Sequence, residues 1–238
     1  MKSRNFTLLA LTLIILTSLL SGCSGSTTIA SSWPGLSINK DTAYLAYNQQ
    51  VYAVNIVNGN EIWRYPDEPN VKISFFAPPV LTSDNQLIVS GYNNILYSLN
   101  AADGKENWQF TNAKNRFIGS PLVTEDRIFA SNSDNTLYAL DLQGNLLWSF
   151  ITNGEQWAQP VLDPDGTKLY ISSLDHNIYA VNLDGTLLWK TNESLGGAVL
   201  GSPAISDNDI LYIGSFSSQM YAINTQNGDI IWKIPTKG

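Results

Sequence analysis

Five tryptophans recur through this chain at nearly constant spacing, and that period limits the folds open to it. Trp63, Trp108, Trp148, Trp189 and Trp232 stand 45, 40, 41 and 43 residues apart, and Pro34, Pro79, Pro121, Pro160 and Pro203 keep step at 45, 42, 39 and 43. A unit repeated at such a period is one supersecondary element that cannot bury its apolar faces alone, so it must stack on its neighbours. Between each Pro and its Trp lie four short strand-like runs. In the second unit these are Pro79-Val80-Leu81-Thr82, Leu87-Ile88-Val89-Ser90, Ile95-Leu96-Tyr97-Ser98-Leu99 and Asn107-Trp108-Gln109-Phe110. Ser83-Asp84-Asn85, Asn93-Asn94 and Asp103-Gly104 separate them, residue types that accept positive φ in tight hairpins.

Four antiparallel strands of about five residues, repeated every ~42 residues with aromatic markers, describe the blade of an all-β propeller. Helical repeats fit poorly. They need apolar residues at a 3.6-residue period, whereas Leu211-Tyr212-Ile213 and Tyr221-Ala222-Ile223 are short runs apolar on both faces, as strands held between two neighbours must be. A parallel β-helix would need shorter rungs. With 44% hydrophobic and 14% charged residues, the chain has enough apolar surface to build such stacked sheets.

The end of each unit carries a family resemblance. Ala53-Val54-Asn55-Ile56-Val57-Asn58-Gly59-Asn60-Glu61-Ile62-Trp63, the segment from Ser98 to Trp108 and that from Ala222 to Trp232 resemble the tryptophan-docking motif A-x-D-x-x-T-G-x-x-x-W of pyrroloquinoline-quinone-like propeller repeats. The segments Ala139 to Trp148 and Ala180 to Trp189 are one residue shorter before Gly144 and Gly185. The resemblance covers essentially all of residues 33–234, and residues 33–238 are expected to form the propeller domain. It implies that Trp63, Trp108, Trp148, Trp189 and Trp232 are structural, each packing between blades while the Asx and Gly shape the last hairpin. Propellers of this family usually close with seven or eight blades. Five units either close directly, since propellers range over about four to eight blades, or belong to an incomplete or partnered ring. The second is favoured, because an open last blade would expose a large apolar face.

The first 22 residues read as an address. Lys2 and Arg4 precede an uncharged run from Phe6 to Leu20, short for a spanning helix and suited to a signal peptide. It ends at Leu20-Ser21-Gly22-Cys23, which resembles the bacterial lipobox, and Cys23 is the chain's one cysteine. That resemblance implies a lipid anchor on Cys23 after cleavage, followed by a small-residue tether over 23–32. Ser24 carries no aspartate retention signal, so the outer membrane is expected in a two-membrane bacterium and the outer face of the cell membrane otherwise.

Composition narrows the chemistry. The net charge is 13 − 20 = −7, or 11 − 20 = −9 without residues 1–22, which argues against nucleic acid as a partner. One Cys and one His exclude multi-cysteine zinc sites and disulfide frameworks. Quinoprotein dehydrogenases of the resembled fold carry a quinone and Ca²⁺ with a carboxylate base and, in many members, adjacent cysteines. This chain has no second cysteine and no evident metal-ligand set, so no catalytic residue, metal or cofactor is assigned. Asp163-Pro164-Asp165-Gly166 falls where a hairpin turn belongs and lacks the closing Glu of a 12-residue calcium loop. His176 lies in a turn that is polar in every unit: Gln49-Gln50, Asn93-Asn94, Asp134-Asn135, Asp175-His176 and Ser218-Gln219.

Binding remains. Loops from strand four to the next strand one should open on the same face as the turns between strands two and three. Phe76, Ile118, Trp157 and Leu200 stand three residues before a repeated Pro, and Phe75, Phe117, Gln156 and Val199 one earlier. Phe76, Phe117 and Trp157 are thus the candidate partner rim, unless these side chains fold inward and seal the channel. Two function classes follow. One is a lipid-anchored, non-catalytic propeller scaffold that binds envelope proteins, as a propeller lipoprotein of outer-membrane β-barrel assembly does. The other is a degenerate or accessory quinoprotein holding a redox cofactor.

Overall fold

Residues 35–237 are described in the computed structural model, where they form twenty strands in five four-stranded antiparallel sheets. The expected signal peptide, Cys23, the tether, Trp33 and Pro34 lie outside the described residues. Blade 1 holds β1–β4 (Gly35–Asn39, Thr42–Tyr47, Gln50–Asn55, Glu61–Tyr65) and blade 2 holds β5–β8 (Val80–Leu81, Gln86–Ser90, Leu96–Asn100, Glu106–Phe110). Blade 3 holds β9–β12 (Leu122–Val123, Arg127–Ser131, Thr136–Asp141, Leu146–Ile151) and blade 4 holds β13–β16 (Val161–Leu162, Lys168–Ser172, Ile178–Asn182, Leu187–Lys190). Blade 5 holds β17–β20 (Ala204–Ile205, Ile210–Ser215, Gln219–Asn224, Ile230–Pro235). Each is an up-and-down sheet with strands in sequence order. The period of the tryptophans is therefore the period of the blades.

Alternation along the two middle strands builds the core. In blade 2, Leu87, Val89, Tyr97 and Leu99 point at blade 1, while Ile88 and Leu96 point at blade 3, all fully buried or nearly so. Successive side chains leave opposite faces of a strand, so a strand flanked by two blades is apolar at most positions on both faces, with small hydroxyl residues such as Ser90 and Ser98 between them. This is why the strand runs read as continuous rather than alternating.

The docking motif makes each joint in the same way. An Asx side chain accepts from the backbone N–H two residues on, as Asn100 does from Ala102, Asp141 from Gln143 and Asn224 from Gln226. That turn places a glycine at positive φ, 73° at Gly104, 82° at Gly144, 86° at Gly185 and 75° at Gly228. Against these glycines lie the indoles of Trp63, Trp108, Trp148 and Trp189 from the preceding blade, so close that an added Cβ would come within 2.6–2.7 Å of a ring atom. Each indole Nε1–H also donates across the joint, to the carbonyls of Ala101, Leu142, Leu183 and Thr225 at 2.8–3.0 Å.

The five tryptophans do not form the uniform core expected of them, because only one is buried. Trp63 is buried at 8% exposure, Trp108, Trp148 and Trp189 are half-buried, and Trp232 is 39% exposed. Every docked indole sits on the outer strand of its blade, so its rim keeps contact with solvent even when its face is covered. Trp232 lacks the cover as well. Among the described residues no glycine meets its ring and no acceptor meets its Nε1, and Gly59 of blade 1, at φ 73°, has nothing within 4 Å of a built Cβ.

Candidate functional site

The linkers between blades are not free loops, because each is stitched into the face that it crosses. The Phe75 N–H donates to the Asn48 carbonyl in the β2–β3 turn of blade 1, and the Ser74 carbonyl accepts from Tyr92 in the corresponding turn of blade 2. The pattern repeats at every linker. Phe117 donates to Gly91 and Arg116 accepts from Ser133; Gln156 donates to Asn132 and Glu155 accepts from Leu174; Val199 donates to Ser173 and Ala198 accepts from Phe216. Each linker thus acts as a very short strand between two turns, and its side chains must alternate across it.

That alternation divides the predicted rim. Phe75, Phe117, Gln156 and Val199, whose N–H groups make the stitch, point down between the blades and are fully buried. Phe76, Ile118, Trp157 and Leu200 follow on the other side and are half-buried. Phe117 is accordingly a correction to the expected rim: it packs on Tyr138, centroids 6.2 Å apart, inside the joint of blades 2 and 3. Its place on the rim belongs to Ile118.

Phe76 and Trp157 remain on the face. Phe76 meets Tyr92 edge to face at 4.7 Å, and the Arg116 guanidinium lies 5.9 Å above the same Tyr92 ring, which makes a continuous patch of two aromatics and a cation. Burial raises the Tyr92 phenol above its ordinary range against the opposing pull of Arg116. Trp157 is fixed by its Nε1–H donating to Glu155 at 2.6 Å. Phe216, in the β18–β19 turn, stands 73% exposed on this face. Sequence reasoning missed Tyr92, Arg116 and Phe216. Tyr92 and Phe216 occupy one repeat position, the residue whose N–H closes the stitch, and that equivalence was readable from the aligned turns.

The turn residues fall where the repeat places them. His176 is exposed with φ 73°, the left-handed position filled by Asn48, Asn94, Asn135 and Ser218 in the other blades. Its carbonyl accepts from Leu195. Blade 1 differs from the sequence alignment in one respect, because Gln50 opens β3, is buried, and donates from Nε2 to the Pro66 carbonyl at 2.8 Å. Asp163 turns the β13–β14 hairpin, pairs with Lys168 at 3.0 Å and accepts from the Tyr170 hydroxyl at 2.5 Å. These partners use the Asp163 oxygens inside the protein.

A hollow of about 280 Å³ opens along the inner strands, lined by Ser37, Ile38, Asn39, Tyr44, Pro78 to Leu81, Ser120 and Gln159. No carboxylate lines it. A Ca²⁺-bound quinone needs anionic oxygen donors, so this lining does not fit that cofactor. Among the described residues no group of three His, Cys, Asp or Glu side chains gathers as a metal site.

Comparison with known proteins agrees with this geometry. A family model described as outer membrane protein assembly factor BamB matches residues 47–173 and 174–238. The chain belongs to this family. Among solved structures, BamB from Moraxella catarrhalis is similar with a TM-score of 0.70 at 16% identity, over 86% of this chain and 64% of that one. The computationally designed Ika8 protein is similar at 0.72 and 12% identity, over 85% of this chain and 61% of that one. This chain thus spans less than two thirds of either structure's length. No curated protein matches it in sequence. In this chain, blades joined by docked tryptophans are the frame, and the stitched face carries residues that differ from blade to blade.

Proposed function

We propose that this chain is a lipid-anchored extracytoplasmic scaffold that binds other envelope proteins during outer-membrane protein assembly and catalyses no reaction. The observation that carries the reading is the patch of Phe76, Tyr92 and Arg116, with Trp157 on a further linker, all on linkers and turns that backbone hydrogen bonds hold in place. Preorganised aromatic and Arg side chains are the residue types that anchor protein interfaces, because they bury much area with little ordering left to do. Membership of the BamB family supports the assembly role. The Leu20 to Cys23 segment supports the anchor, with Cys23 as the lipidated residue and the periplasmic side of the outer membrane as its place.

Replacing Phe76 and Trp157 together by Ser tests the binding face. Capture of envelope proteins from detergent-solubilised membranes should fall about tenfold or more while the melting temperature stays within a few degrees. Unchanged capture would refute this face. Fatty-acid labelling tests the anchor, and Cys23→Ser should abolish it and release the protein from membranes. Labelling retained in that variant would refute the lipobox.

A further inference from the structure

Two positions of blade 2 break the repeat with polar residues, and a hydrogen bond joins them. The strand partner of the repeated Trp is Ala53, Ala139, Ala180 and Ala222 in four blades, and Ser98 opposite Trp108 in blade 2. The residue before the Trp is Ile62, Leu147, Leu188 or Ile231, each 46–49% exposed, and Asn107 in blade 2. Asn107 Nδ2 donates to Ser98 Oγ at 3.1 Å, and Ser98 donates to Gln86 Oε1 at 2.6 Å. Gln86 Nε2 then donates across the joint to the Leu142 carbonyl at 2.9 Å. Blades 3 and 4 set a cation at the place of this neutral amide, Arg127 and Lys168. The other blades show that the docking hairpin needs neither Ser98 nor Asn107.

Here the joint of blades 2 and 3 opens into a hollow of about 450 Å³, whose walls include Asp84, Asn85, Asn100, Asn107, Trp108 and Gln143. That volume is in the ~300–1,000 Å³ range of small-ligand sites. Four of these residues are carboxamides with hydrogen bonds to spare. Asn100 uses only its Oδ1, on the Ala102 N–H, and Asn107 uses only its Nδ2. The side chains of Asn85 and Gln143 have no partner among the described residues. The Thr82 hydroxyl, with help from Gln86, holds the Asp84 carboxyl below its ordinary range, so this group is an acceptor only.

The lining selects a class of ligand. A carboxamide donates and accepts, and an alcohol does the same, so a ring of carboxamides suits hydroxyl groups that stand side by side. The half-buried Trp108 ring gives an apolar wall for the C–H face of such a molecule. Anions fit poorly, because no Lys, Arg or His lines the hollow and Asp84 repels them. A metal ion fits no better, since it takes about six oxygen ligands and finds one carboxylate.

We propose that this hollow binds a neutral sugar, free or as a unit of a glycan chain, through Asp84 and the four carboxamides, with Trp108 as its apolar wall. The site is separate from the protein-binding face. It is built on the β5–β6 and β7–β8 hairpins, at the ends of the strands opposite the stitched turns.

Saturation-transfer NMR of the full chain, in a detergent without a sugar headgroup, reads the binding with cellobiose and N,N′-diacetylchitobiose as probes. At least one should receive transfer from the wild type. Hexamers of the same sugars separate the two sources, because transfer confined to terminal rings marks a free sugar and transfer to internal rings marks a chain. Ser98→Ala combined with Asn107→Leu installs residues that other blades carry, so the melting temperature should hold while affinity falls about tenfold or more. Gln143→Ala, in an exposed turn, should weaken binding severalfold and decides the matter if the double variant does not fold. Phe76→Ser should bind sugar as the wild type does, so failure of this site and failure of the protein-binding face are told apart. Absence of transfer to either sugar from folded wild type, or affinity unchanged in the folded variants of the hollow, would overturn the proposal.

Discussion

The indole of Trp148 lies against the α-carbon of Gly185, and its Nε1–H donates to the Leu183 carbonyl at 2.8 Å, so one side chain fixes the spacing, tilt and register of two blades. A side chain on Gly185 would occupy the space of the ring, since its Cβ would sit 2.7 Å from Trp148 Cδ2. The period of the sequence and the period of the fold meet at this contact.

The value of a docked tryptophan should depend on its neighbour and not on its own blade. Trp148→Ala should cost about 3 kcal/mol, since it removes a large side chain from a joint together with a cross-blade hydrogen bond. Trp232→Ala removes the same atoms where no glycine covers them and should cost under about 1 kcal/mol. Urea denaturation of monomeric protein measures both.

Gly59 and Gly185 separate backbone strain from crowding. Both hold left-handed φ, 73° and 86°, yet only Gly185 faces a ring. Gly59→Ala should cost about 1 kcal/mol from conformation alone. Gly185→Ala adds overpacking and should cost about 2–4 kcal/mol. Equal losses in denaturation would mean that the indole yields freely.

Tyrosines buried at the joints make the fold sensitive to alkali. Burial raises the phenols of Tyr138, Tyr170 and Tyr179, and the hydrogen bonds that they donate to Asp134, Asp163 and Asp175 raise them further. Each binds its proton more tightly folded than unfolded, so its contribution is complete below about pH 10 and is lost as pH rises above that value. Tyrosinate absorbance should therefore appear together with loss of tertiary structure. Titration of these residues in a fully folded protein near pH 10 would contradict the assignment.

The two aromatic sets of the linkers should respond oppositely to substitution. Phe117→Ser should cost about 3–5 kcal/mol as a large-to-small core change that also buries a hydroxyl. Phe76→Ser should cost about 1 kcal/mol or less. Differential scanning calorimetry distinguishes them.

What was legible in the sequence follows from what repeats. The five blades and their four strands were readable because each position recurs, and recurrence exposes the constraint that a single copy hides; the docking role of the tryptophans was what the family resemblance implied. The state of each copy was less readable. Trp63 and Trp232 carry the same motif, yet Gly104 covers the Trp63 ring and, among the described residues, no glycine covers that of Trp232. The rim was half legible. Phe76 and Trp157 share a repeat position, but Phe117 is the neighbour of that position, and in a linker stitched as a strand one step reverses the direction of the side chain. Counting from the Pro alone gave no sign of those hydrogen bonds. His176 was correctly placed as a turn residue because four other blades have polar residues at the same place.

Site-specific photocrosslinking in living cells tests the binding face most directly. A photoreactive residue placed at Phe76, at Trp157 or, as a control on the outer strand of blade 1, at Arg64 would report which surface meets protein. The account predicts adducts with envelope assembly proteins from positions 76 and 157 and none from 64. Adducts absent from both rim positions, or equally abundant from position 64, would contradict it.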